Sequence, residues 1–153
     1  MSRTVLLVED EENDVFFFVR AAKLAGITDP LHVAHNGQQA IDYLQAASAC
    51  ADRTQFPLPR LVLLDLKLPH VMGLDVLKWI RAHPQLKAVV VIIFTSSELA
   101  SDVETAYALG ANSYVVKPSS PGKLQEMLSV IKHYWLDLNE SATACIPLPH
   151  LAA

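Results

Sequence analysis

Five times along this chain a short apolar run, rich in β-branched residues, gives way to a stretch of helical periodicity. That alternation admits few architectures. Strands separated by helical crossovers pair in parallel, and the helices then cover both faces of the sheet. Strands are expected at Thr4–Val8, Leu31–Ala34, Leu61–Leu64, Val89–Phe94 and Ser113–Val116. Leu61-Val-Leu-Leu and Val89-Val-Val-Ile-Ile-Phe are apolar at successive residues, as strands buried on both faces must be. The fold class is therefore α/β, a doubly wound parallel sheet.

The helices declare themselves by their 3.6-residue period. Val15, Phe18, Val19 and Ala22 form an inward stripe that ends before Gly26, a C-cap residue. Ile41 and Leu44 serve a second helix beginning near Gly37. Gly73, Leu74, Val76, Leu77 and Ile80 carry a third, which Pro84 stops, and Val103, Ala106 and Tyr107 carry a fourth, ended by Gly110. In the fifth, Leu124, Met127, Leu128, Ile131 and Trp135 recur at helical spacing. Val130, Tyr134 and Leu138 draw a second apolar line on another face of that helix, a surface expected to form a homodimer.

Composition excludes several classes. A chain of 153 residues that is 52% apolar and only 18% charged buries a core and is not disordered. Its longest apolar run, Ala88 to Phe94, is far short of the roughly 20 residues a bilayer needs, so no membrane contact is expected. No signal peptide follows Met1, which predicts a cytoplasmic protein. The net charge is −4 with no basic stripe, so nucleic acid is not an expected partner. Cys50 and Cys145 have no metal-like spacing and are read as reduced, inert thiols. Ala46–Arg60 is a long connector, and the tail after Trp135 ends in Ile146-Pro-Leu-Pro-His, which cannot be helical.

The chemistry gathers where strands end. Glu9-Asp10-Glu11-Glu12-Asn13-Asp14 places five acids in six residues directly after the first strand. Glu11, Glu12 and Asp14 are accounted for as the acidic first turn of a helix. Glu9 and Asp10 stand at the strand exit itself, where open parallel sheets bind ligands. Asp65 closes the third strand, and beside the first it would bring three hard carboxylates into one volume, a setting that suits Mg2+. Thr95 and Ser96 put hydroxyls at the end of the fourth strand, and Lys117-Pro118 puts an ammonium at the end of the fifth. A nucleophile, a metal, a hydroxyl donor and a second cation are what transfer of a phosphoryl group requires.

Residues so matched resemble the receiver (response-regulator) family over about residues 3–136. The resemblance implies a flavodoxin-like sheet of five parallel strands in the order 2-1-3-4-5, with helices on both faces. It implies Asp65 as the phosphoacceptor, with Mg2+ held by the side chains of Asp10 and Asp65, the backbone carbonyl of Lys67, and Glu9 through water. Thr95, Ser96 and Lys117 would contact the phosphoryl group, and Tyr114 would be the aromatic beside the switch. The chain most resembles the small stand-alone receivers of bacterial phytochrome-type histidine kinases, through Leu-Leu-Asp-Leu-Lys-Leu-Pro, the long connector and His133-Tyr-Trp-Leu with its Pro-Leu-Pro tail. Lys67 departs from the small or polar residue often met at that place, and would crowd an attacking water.

The expected partners are a sensor histidine kinase, a downstream protein and a second copy of the chain. The expected division is a receiver domain over 1–138 and a C-terminal extension over 139–153, with no output domain, so signalling would pass by protein contact. The protein is expected to accept a phosphoryl group rather than act as an enzyme. The alternative is a phosphorylation-independent pseudo-receiver, an interaction module alone. A haloacid-dehalogenase-like phosphatase would need a second Asp where Lys67 stands, and acids at Glu9–Glu12 would repel a flavin phosphate.

Overall fold

A computed structural model of the protein describes residues 3–49 and 55–142. Within them the order is β1 (Val5–Val8), α1 (Glu12–Leu24), β2 (Leu31–Ala34), α2 (Gly37–Ser48), β3 (Leu61–Leu64), α3 (Gly73–Ala82), β4 (Val90–Thr95), α4 (Ala100–Ala108), β5 (Ser113–Val116) and α5 (Pro121–Ile131). A π-helical segment, Lys132–Leu138, continues α5. The strands form one parallel sheet in the order β2-β1-β3-β4-β5, as expected. Cys50, Cys145 and the Ile146-Pro-Leu-Pro-His tail lie outside the described residues.

Because strand side chains alternate between faces, each central strand feeds two cores. Leu6, Val8, Val62, Leu64, Val91 and Ile93 face α2, α3 and α4, against Leu44, Val76, Leu77 and Ile80. Val5, Leu7, Leu61, Leu63, Ile92 and Phe94 face α1 and α5, against Phe18, Ala22, Leu124, Leu128 and Ile131. β1, β3 and β4 are buried throughout, which is why their sequences do not alternate. The edge strands β2 and β5 are mostly half-buried.

Local chemistry sets the helix ends. The Asn36 side chain caps α2 by accepting from the Gln39 N–H at 2.8 Å, and Ser120 with Pro121 starts α5. Gly26 and Gly110, at φ 77° and 99°, close α1 and α4 in the left-handed region. His83 turns extended before Pro84 and ends α3.

Some expectations shift, beginning with β1, which starts at Val5 rather than Thr4. β4 begins one residue late and includes Thr95. Tyr107 is exposed on α4, where the one buried residue is Ala106. At the end of α5 the half-buried Trp135 packs against the core as expected, but the deepest position falls on Leu136 at 1% exposure. The cause is the i→i+5 winding after Ile131, seen in the Asn139 N–H to Tyr134 carbonyl bond of 2.7 Å, which widens the turn by one residue. Arg3, paired with Asp29 at 2.7 Å, donates to the Leu136 carbonyl at 3.1 Å, and Arg60 donates to that of Asn139. The connector is partly anchored: Tyr43 donates to the Pro57 carbonyl at 2.7 Å and packs edge-on against Phe56.

Candidate phosphoacceptor and metal site

The parallel ladder runs one residue past the apolar strands. The Glu9 N–H donates to the Ala34 carbonyl at 3.0 Å, and the Asp65 N–H to the Val8 carbonyl at 3.1 Å. The first polar residues after β1 and β3 therefore emerge side by side at the carboxyl edge. One oxygen each from Glu9, Asp10 and Asp65 lies within 4.8 Å of the others. Glu9 and Asp65 are buried, and Asp10 is half-buried.

The Asp65 backbone is held from behind. Gly73 opens α3 with its N–H on the Leu66 carbonyl at 2.9 Å, and a Cβ there would stand 2.0 Å from the Asp65 carbonyl oxygen. Only glycine permits α3 to abut the acceptor loop this closely. The Lys67 N–H reaches Asp65 Oδ1 at 3.3 Å, while its side chain is exposed.

Lys117 enters from the opposite side, its N–H on the Thr95 carbonyl at 2.8 Å. Its ammonium donates to Glu9 Oε2, to Asp65 Oδ2 at 2.8 Å and to Asp14 Oδ2 at 3.1 Å, so each of its three donors has a carboxylate. Burial pushes the Glu9 carboxyl up to about 7, against the pull of Lys117. Burial works against the Lys117 charge, but its hydrogen bonds to Asp65 and Glu9 prevail and hold its pKa above the ordinary lysine value.

Thr95 is fully buried at the end of β4, its Oγ1 accepting the Ser97 N–H at 3.4 Å. Ser97 then donates its hydroxyl to Asp102 and offers its carbonyl to the Tyr114 hydroxyl at 2.9 Å. Burial raises the pKa of that tyrosine. Ser96 is exposed. Glu9, Asp10, Asp65 and Lys117 thus converge as expected, with Thr95 and Tyr114 joined through Ser97. Asp14 and the Ser97–Asp102 pair were not foreseen. Asp14 stands in the first turn of α1, in the same run of acids as Glu9 and Asp10, and that run was the available signal.

Three carboxylates contact one ammonium here and Asp10 adds a fourth beside Glu9 and Asp65, a surplus of negative charge that burial makes unfavourable without a further cation. The donors are hard oxygens on a partly open edge, and they fit a divalent ion that keeps several waters. A strand-end carboxylate among such donors, with an ammonium bound to it, defines a phosphoryl-accepting site of an open parallel sheet.

The family model for the response regulator receiver domain matches residues 5–129, and the chain belongs to that family, whose members accept a phosphoryl group rather than act as true enzymes. It is 38% identical over 137 residues to the probable methanogenesis regulatory protein FilR2 of Methanothrix harundinacea, across 90% of this chain and 86% of that one. It is 33% identical over 135 residues to response regulator Rcp1 of Synechocystis, across 88% and 90%. A solved Mn2+-bound form of response regulator Rcp1 superposes with a TM-score of 0.79 at 31% identity, covering 92% of this chain and 99% of that one. The phosphorylated cyanobacterial phytochrome response regulator RcpA superposes with a TM-score of 0.81 at 27% identity, with the same coverage. The chain is closely related to these phytochrome-associated regulators. No helix among the described residues is long and apolar enough to cross a membrane.

Proposed function

We propose that Asp65 takes a phosphoryl group from the phosphohistidine of a phytochrome-type sensor histidine kinase in the cytoplasm. The observation that carries the proposal is the placement of Asp65: buried, within the Glu9–Asp10 acid cluster, with Lys117 on its Oδ2. An Asp65 oxygen attacks phosphorus, the P–N bond to the kinase histidine breaks, and the departing imidazole nitrogen takes a proton from solvent. Mg2+, when bound, neutralises charge on the transferring oxygens, and Asp10, Asp65, the Lys67 carbonyl and Glu9 through water would hold it.

Lys117 gives up Asp65 Oδ2 and turns to the phosphoryl oxygens, where the Thr95 hydroxyl, with Ser96 beside it, donates as well. Thr95 accepts from the Ser97 N–H and Ser97 accepts from Tyr114, so a shift of Thr95 is passed to the aromatic ring. The surface of α4, β5 and α5 then changes its preference for a downstream protein. Receiver function occupies residues 1–138, and 139–153 is an extension. A homodimer forms through the outer line of α5, where Val130, Tyr134 and Leu138 are all exposed.

With acetyl phosphate and Mg2+, the wild-type protein should gain one phosphoryl group by intact mass, and Asp65→Asn none, because an amide is not a nucleophile. Equal labelling of the variant would remove Asp65 from the role. An unlabelled wild type would leave a phosphorylation-independent interaction module.

A further inference from the structure

Asp14 has no part in the chemistry just described, yet it holds one of the three hydrogen bonds of Lys117. The other two go to Glu9 and Asp65, which belong with Asp10 to the close set of metal-ligating oxygens; Asp14 does not. The three partners also differ in depth. The Glu9 and Asp65 side chains are 2% and 9% exposed, that of Asp14 is 47% exposed, and that of Lys117 lies between at 14%. Lys117 therefore spans the site from its floor to its mouth. While it donates to Glu9 Oε2 and Asp65 Oδ2, it occupies one oxygen on each of two carboxylates that a divalent cation would use, and one of these is the nucleophile.

A lysine stem of four carbons can swing if there is space for it and a charge to receive it. Both are present. A cavity of about 290 Å³ opens beside Lys117, bounded by Asp14, Phe17, Phe94, Pro118 and Pro121. Asp14 stands at its edge in the first turn of α1, where the helix dipole favours a carboxylate.

We propose that Asp14 is a positioning residue that moors Lys117 at the mouth of the site. It lets the ammonium release Glu9 and Asp65 without leaving the neighbourhood of the acceptor. Glu9 and Asp65 are then free to serve a divalent cation, and Lys117 stays within reach of the incoming phosphoryl group. This rests on the reading of the site as a metal-assisted phosphoacceptor. Without Asp14 the remaining hydrogen-bond partners of the ammonium among the described residues are the two metal-binding carboxylates, and it competes with the cation for them.

Calorimetric titration of Mg2+ into the metal-free protein, with no phosphodonor, tests the proposal. Asp14→Asn should weaken Mg2+ binding about fivefold, the scale of one partly exposed ion pair. Glu12→Gln removes the same charge from the same exposed helical turn, where it does not meet Lys117, and should change affinity less than about twofold through the general field alone. Asp14→Glu, which keeps the carboxylate, should restore most of the loss. In a Lys117→Met background the extra effect of Asp14→Asn over Glu12→Gln should vanish, because the coupling runs through the ammonium. Equal effects of Asp14→Asn and Glu12→Gln, or an Asp14→Asn effect undiminished without Lys117, would overturn the inference and leave the proposed function standing. A wild type that binds no Mg2+ would overturn both.

Discussion

Glu9 ends β1 as the first polar residue after Val5–Val8, and the ladder bond to Ala34 draws its carboxyl under cover. Burial raises it from 4.5 to about 7. A carboxyl raised on folding binds more protons folded than unfolded. Its contribution to stability is full below about pH 4.5 and lost as pH rises through about 7. Lys117, raised above its ordinary value, keeps its contribution throughout the neutral range. The metal-free protein should therefore lose stability across that window, because the folded, buried setting disfavours the charge that Glu9 already carries there in the unfolded chain. Urea melts in chelator at pH 5 and pH 7.5 would show it, and Glu9→Gln should flatten the difference. An unchanged slope in the variant would mean that Glu9 is ionised throughout.

At the scale of elements, the acceptor loop depends on how closely α3 approaches the end of β3. A Cβ at Gly73 would meet the Asp65 carbonyl oxygen at 2.0 Å and the Leu66 Cα at 2.7 Å, both backbone atoms that cannot rotate away. Gly73→Ala should displace the loop, destabilise the protein by about 1–3 kcal/mol and slow phosphorylation by more than tenfold, because the nucleophile moves relative to its partners. Thermal melts and initial labelling rates measure the two effects separately. A variant that melts lower but labels at the wild-type rate would show that α3 can retreat without disturbing Asp65. Behind this loop, Val76, Leu77 and Ile80 are fully buried and anchor α3 to the sheet.

The whole molecule exposes an apolar line on α5 and its π-helical continuation, with Val130 at 67%, Tyr134 at 51% and Leu138 at 59%. The inner stripe of the same helix is spent on the sheet, so this line is free for a second copy. Three side chains are too few for a stable interface, which needs about 1,000 Å², so the proposed dimer requires further surface beside them. Tyr134→Glu would set a charge in the middle of that interface and should convert a micromolar dimer into monomer by sedimentation. A wild type that sediments as a monomer with and without phosphodonor would end the dimer proposal.

The positions of the central strands and the principal residues of the acid cluster were legible in the sequence itself for one reason, while the strand order came from the resemblance to the receiver family. A parallel strand buried on both faces must be continuously apolar, so the first polar residue after each run marks the carboxyl edge. Glu9 and Asp65 are those residues, Thr95 closes the apolar run of β4 from within the strand, and Lys117 follows the half-buried edge strand β5. The order 2-1-3-4-5 then brings their strand ends together. Contacts that depend on reach and depth could not be read this way. Lys117 and Asp14 lie 103 positions apart, and only the packed fold decides that one ammonium touches three carboxylates at different depths. Nor could helical spacing show that Leu136 joins Trp135 against the core and is the more deeply buried of the two. That follows from the widened turn after Ile131, in a segment whose carbonyls at Leu136 and Asn139 are held by Arg3 and Arg60. Periodicity records the average winding of a helix; contacts from distant parts of the chain decide where the winding changes.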